Sequence, residues 1–175
     1  MSTYDSIEPD MKNWTWVLER RCPDCGFDAA SVDVHRTGEM IRSISQQWQV
    51  VLGAPKLAAR PQPSVWSPLE YACHVRDVFV LFDRRLELML SEDDPHFQNW
   101  DQDQTAVESD YGSQVPNAIS DALAVAGVRL ADRFDGVAGE QWARRGYRSD
   151  GAEFTVDSFA RYFLHDPVHH LWDVS

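Results

Sequence analysis

Apolar residues recur along this chain at intervals of three and four, the spacing that puts them on one side of a helix. Val34, Ile41, Ile44, Trp48 and Val51 keep that spacing, predicting a first helix from about Ala29 to Leu52. The stretch GAPKLAARPQP, residues 53–63, breaks the pattern with glycine and prolines and reads as a linker. Ser67-Pro68-Leu69-Glu70 then supplies a capping serine, a proline suited to the first helical position and a glutamate able to close a capping box. Tyr71, Val75, Val78, Phe82, Leu86 and Met89 follow as an apolar stripe, so a second helix runs to about Ser91. Residues 92–114 are acidic and turn-rich, a long connection. A third helix spans Pro116 to Phe134 with Ile119, Leu123, Ala126 and Leu130 inward. Gly136, Gly139, Gly146 and the turn Ser149-Asp150-Gly151 predict a short hairpin within residues 136–154. The last helix starts near Thr155 or Asp157 and reaches the C-terminus.

Four such helices without a convincing sheet pattern predict an all-α protein, a four-helix bundle. The bundle occupies residues 29–175, and residues 1–28 form an irregular N-terminal arm with Trp14, Trp16, Phe27 and the turn Cys22-Pro-Asp-Cys25-Gly. At 175 residues a core of this kind needs neither metal nor disulfide for stability. The net charge of −12, from 28 acidic and 16 basic residues, argues against nucleic acid or an anionic membrane as partner. No apolar run reaches the ~20 residues that span a bilayer, and the N-terminus lacks the pattern of a secretory signal. With three cysteines, an odd number, the expectation is a reducing, cytoplasmic setting.

Chemistry concentrates near the C-terminus, where FLHDPVHH gathers three of the six histidines. His165 and His169 are four apart, so on a continuous helix both imidazoles leave one face, a spacing that can offer two ligands to one metal. His74, beside the buried stripe of the second helix, is the candidate third ligand. His170 lies ~100° round from His169 and is expected to face elsewhere. Pro167 either kinks the helix or, with Asp166 as cap, starts a new one. Glu70, Asp77, Asp166 and Asp173 are the carboxylates able to orient such ligands. Arg144, Arg145 and Arg148 form a small basic patch that either attracts an anionic substrate or is a solvated loop. His35 and His96 stand alone.

Two segments resemble the DinB/YfiT-like metal-binding four-helix family: WSPLEYACHVRDV (Trp66 to Val78) and FTVDSFARYFLHDPVHHLWDV (Phe154 to Val174). The resemblance covers about residues 29 to 174. It implies an up-down-down-up bundle and a divalent metal, often zinc or nickel, held by His74, His165 and His169. It also implies an enzyme transferring a low-molecular-weight thiol, of mycothiol or bacillithiol type, to an electrophilic small molecule. The alternatives are a metal-assisted hydrolase and a non-catalytic metal-binding stress or interaction protein. Relatives often dimerise, so a homodimer is a further expectation, with the aromatic arm as a surface that could cover the partner.

Cys22-Pro-Asp-Cys25-Gly looks like half of a zinc knuckle, and a structural zinc needs four ligands. His35 could supply a third, leaving the fourth to come from a second chain. An ordinary turn and a redox pair are the other readings. Cys73, on the second helix, is expected in the core.

Overall fold

In the computed structural model, which describes residue 7 and residues 13–175, the chain forms five α-helices and one small hairpin. The helices are α1 (Thr37–Leu52), α2 (Pro68–Ser91), α3 (Gln102–Glu108), α4 (Pro116–Asp135) and α5 (Val156–Asp173). Strands β1 (Arg145–Tyr147) and β2 (Glu153–Thr155) pair antiparallel with Gly146 opposite Phe154, the hairpin expected between the last two long helices. The four long helices make an up-down-down-up bundle, in which the long connection after α2 lets α4 run parallel to it, with Gly127 beside Phe79 and Arg133 beside Asp83. Among the described residues no helix is long and apolar enough to cross a membrane.

The first helix begins later than the periodicity predicts. Asp28 and Asp33 accept hydrogen bonds from the Ala30 and His35 amides, closing 3-10 turns at Ala29–Ser31 and Val34–Arg36 before α1 starts at Thr37. Side chains that satisfy backbone groups locally compete with a regular helix, and here they win. The opposite error occurs in the 92–114 connection, where Asp101 caps the short helix α3.

The capping box at α2 forms as read: Ser67 Oγ accepts from the Glu70 amide, and Glu70 accepts from the Ser67 amide at 2.8 Å. Glu70 is also ion-paired to Arg60 at 2.6 Å, which ties the preceding linker to the helix start. Burial tends to raise the Glu70 carboxyl, yet the guanidinium and the capping amide outweigh it and hold the pKa below the ordinary value. α1 and α4 approach closely because glycine faces the neighbour at two points. A Cβ on Gly38 would stand 2.0 Å from Asp135 Oδ1, and one on Gly127 would stand 2.3 Å from Ser45 Oγ.

The core centres on fully buried Trp48, Phe79, Phe159, Phe163 and Tyr111. Truncating such a residue to alanine costs about 3–5 kcal/mol. Aromatic stacking sets the register of α2 against α5. Phe79 meets Phe163 at 5.7 Å and Phe82 meets Phe159 at 4.7 Å, an antiparallel pairing. Continued toward the start of α2, that register brings His74 opposite the segment that holds Asp166 and His170.

Candidate metal centre

Helix α5 runs unbroken through Pro167, so neither a new helix nor a cap at Asp166 interrupts it. The Pro167 carbonyl accepts a 3.3 Å hydrogen bond from the Trp48 indole. Continuity fixes two faces. His165 and His169 share one, their rings 5.0 Å apart. Asp166 and His170 share the next, rotated by ~100°.

The three histidines singled out from sequence divide between these faces. His74, 1% exposed, points its Nε2 at Asp166 Oδ2 across 3.3 Å. The His74 and His170 rings stand 5.0 Å apart, edge to face, and His170 Nε2 is 3.8 Å from the same Asp166 oxygen. His74, Asp166 and His170 therefore offer ligand atoms that all lie within 4.8 Å of one another. The companions of His165 and His169 are Cys22 and Cys25 from the arm, again within 4.8 Å. Sequence reasoning passed over His170 because it was weighed against His169 on its own helix. The missing signal was the second i,i+4 pair in the same segment, Asp166 and His170.

Both imidazoles of the α2–α5 cluster are held in place by neighbouring side chains. His170 Nδ1 donates to Asp173 Oδ2 at 2.7 Å, which turns Nε2 toward Asp166. That carboxylate–imidazole pair is the arrangement by which proteins fix the tautomer of a metal-ligating histidine. His74 is stacked on Trp100, with ring centroids 5.6 Å apart and planes 20° apart, and its other neighbour is Trp66 at 5.5 Å. Burial would raise the Asp166 carboxyl, but His74 and His170 beside it prevail and set its pKa at about 2. It is an anion at neutral pH. Two buried atoms here, His74 Nδ1 and Asp166 Oδ1, lack any hydrogen-bond partner. Unmet polar atoms are costly in a folded interior, so these groups fit a centre that completes itself with a cation.

The other carboxylates serve different purposes. Asp77 pairs with Arg76 at 2.8 Å and accepts from the Tyr111 hydroxyl. Cys73 is fully buried in the core as expected. His35 packs edge-on against Trp142, and His96 stacks on Tyr147. In the basic patch, Arg144 donates to the Met89 and Glu92 carbonyls and Arg145 pairs with Asp94, so both fasten the hairpin to the end of α2.

A family model for the DinB superfamily matches residues 23–174. The chain belongs to the DinB superfamily. The match reaches back to include Cys25 but not Cys22. Among solved structures, this DinB-superfamily chain is similar to YfiT from Bacillus subtilis, described as a probable metal-dependent hydrolase with an unusual four-helix bundle topology. The two superpose with a TM-score of 0.72 over 83% of this chain and 89% of that one, at 15% sequence identity, a likeness of fold. No curated protein matches the chain in sequence.

A cavity of about 740 Å³ opens beside the centre. Asp166 and His170 reach it from α5, and Trp14 and Trp100 line it from the arm and the α2–α4 connection. Two cations line it as well. Arg148 is neutralised by Asp150 at 2.6 Å. Arg85 is 8% exposed, donates to the Gln98 carbonyl at 3.2 Å and lies over the Phe97 ring. No carboxylate among the described residues is ion-paired with it, and burial lowers its pKa to about 10. It stays protonated at neutral pH.

Proposed function

We propose that this chain is a metal-dependent enzyme acting on an anionic, electrophilic small molecule, with His74, Asp166 and His170 holding a divalent cation. The observation that carries the reading is the meeting of these three donors beside a cavity lined by buried Arg85, which no carboxylate among the described residues ion-pairs. Two imidazoles and one carboxylate suit zinc or nickel, and three protein ligands leave room for a reactant. A cation held there supplies Lewis acidity, favouring the ionised form of a thiol or water at neutral pH.

The protein's own groups divide the remaining work. Asp173 keeps the His170 tautomer that presents Nε2. Arg85 offers its guanidinium to a carboxylate or phosphate on the electrophile, a charge-assisted contact suited to orienting it. Trp14 and Trp100 wall the cavity with apolar surface. They exclude water from one side of the reacting groups and strengthen the field of the charged ones.

The nucleophile in this reading is a low-molecular-weight thiol. Two features support that choice: the resemblance of the helix motifs to thiol-transferring relatives, and a cavity within the ~300–1,000 Å³ range of drug-sized ligand sites, far more than one water needs. Metal-assisted hydrolysis is the second reading, favoured by the description of YfiT, which has a similar fold. Turnover of a panel of anionic electrophiles, with and without added thiol, separates the two. Thiol-dependent loss of the electrophile is expected. Equal turnover without thiol would transfer the assignment to hydrolysis. His74→Ala should reduce either activity roughly 100-fold or more, and Arg85→Met should raise KM for the anionic substrate about 10-fold. If neither variant alters turnover, the centre is elsewhere.

A further inference from the structure

The arm-side cluster has a different chemistry from the one assigned to catalysis. Cys22 and Cys25 sit on a tight turn in which the Cys22 amide donates to the Phe27 carbonyl at 2.8 Å and the Gly26 amide donates to the Cys22 carbonyl at 3.0 Å. Gly26 takes φ of +75°, a left-handed conformation that bends the backbone back beneath the two sulfurs. Both thiols are free, and Cys22 is 1% exposed. Opposite them stand His165 and His169, 4% and 8% exposed. Cys22 Sγ is 3.6 Å from His169 Nδ1. A tetrahedral ion with typical zinc–sulfur and zinc–nitrogen bonds holds adjacent S and N ligands about 3.6 Å apart. His165 Nε2 is buried with no hydrogen-bond partner, so the cluster also contains an imidazole nitrogen with nothing to bind.

We infer that Cys22, Cys25, His165 and His169 form a second metal site, a closed Cys2His2 zinc centre that fastens the arm to the C-terminal helix. Two thiolates and two imidazoles complete a tetrahedron with no position left for a reactant, the pattern of a structural site. The half-knuckle seen in the sequence is completed within one chain by the α5 pair, so neither His35 nor a second copy is needed. Soft thiolates select zinc at this centre, whereas the imidazole–carboxylate set across α5 has none.

The role follows from what lies around the site. Trp14 packs against both His165 and His169 with ring centroids at 5.3 Å, and Phe27 packs against His165 at 5.6 Å. Trp14, His165 and His169 also line the 740 Å³ cavity. Zinc here would therefore hold in place the wall formed by the arm. The inference does not depend on the activity proposed for the α2–α5 centre.

The test is cobalt substitution of the full-length protein, read by absorption. Thiolate-to-cobalt charge transfer and the intense ligand-field bands of tetrahedral cobalt are expected in wild type and in His74→Ala. They should disappear in Cys25→Ser, together with about one equivalent of bound zinc per chain by elemental analysis. X-ray absorption on the unmutated zinc protein adds a readout independent of variant folding, with sulfur scatterers at about 2.3 Å expected in the first shell. A cobalt spectrum lacking thiolate charge transfer, or zinc with only nitrogen and oxygen neighbours, would overturn the inference. Loss of activity in His74→Ala with the cobalt–thiolate bands intact would sustain both readings. Intact bands with no activity in any form would sink the catalytic reading alone.

Discussion

The two faces of α5 present metal-binding groups of opposite character one helical step apart. Toward the arm, His165 and His169 meet two cysteines in a set of four, with Cys25 half-buried and the other three buried. Toward α2, Asp166 and His170 meet one histidine beside a cavity. The segment HDPVHH encodes both, because residues i and i+4 share a face while i and i+1 diverge by ~100°. What differs is the support. The α2 cluster is held by the packed core, through the Phe79–Phe163 and Phe82–Phe159 contacts. The cysteines are held by a short turn on an arm of 3-10 segments and loops. A centre supported by the core keeps its shape without an ion, whereas one closed by a loop depends on the ion for its cohesion.

The largest expected effect comes from removing that cohesion. An ion present at 1,000 times its Kd stabilises by ~4 kcal/mol. Cys22→Ser or a strong chelator should therefore lower Tm by roughly 8–16 °C for a chain of this size. His74→Gln, which leaves the core filled, should shift Tm far less, since three donors without a thiolate hold their ion less tightly and gain less from it. Calorimetry showing equal shifts for the two would remove the contrast between an ion-dependent and a core-supported centre.

Asp173→Asn sharpens the comparison from the other side. Its carboxylate accepts from His170 Nδ1 at 2.7 Å but stands 4.0 Å from His169 Nε2. Metal affinity at the α2–α5 centre should fall about 10- to 100-fold, while the cobalt–thiolate bands stay unchanged. A matched loss at both centres in a competition titration would show that Asp173 serves them alike.

A smaller effect tests the preformed start of α2. Glu70 sits one helical turn before His74, and its folded-state pKa lies below its ordinary 4.5. A carboxylate of that kind adds stability that is present above the unfolded value and lost as pH falls through the folded one. Glu70→Gln keeps a capping side chain but drops the charge facing Arg60. It should cost about 1.5 kcal/mol at neutral pH and flatten the decline in stability as pH falls below the ordinary value of 4.5. Denaturant titrations at several pH values would check this, and an unchanged acid limb would mean that the Arg60 pair contributes nothing.

Much of the fold was legible because it depends on short-range rules. The capping box at Ser67, the apolar stripes of the long helices and the hairpin around Ser149-Asp150-Gly151 are decided by residues within a few positions of one another. Where reading failed, local competition was the cause. Asp28 and Asp33 closed 3-10 turns within a stretch whose apolar spacing suits a helix, and Asp101 capped a helix too short to show a period. In the site, the pairing of His165 with His169 was readable and so was the half-knuckle. That the two belong together was not, since residues 22 and 169 are 147 positions apart and no spacing rule connects them.

The sequence by itself determined which side chains share a helical face, because the α-helix has one pitch and every i,i+4 pair obeys it. It also placed a serine–glutamate box where a helix had to start and two cysteines where a turn had to form. Tertiary structure alone decided the partner for each face of α5, since that depends on the register of two packed helices and the path of the arm. Aromatic side chains, interlocking in one arrangement of α2 against α5, brought His74 to Asp166 and His170 and left the other histidine pair to the cysteines.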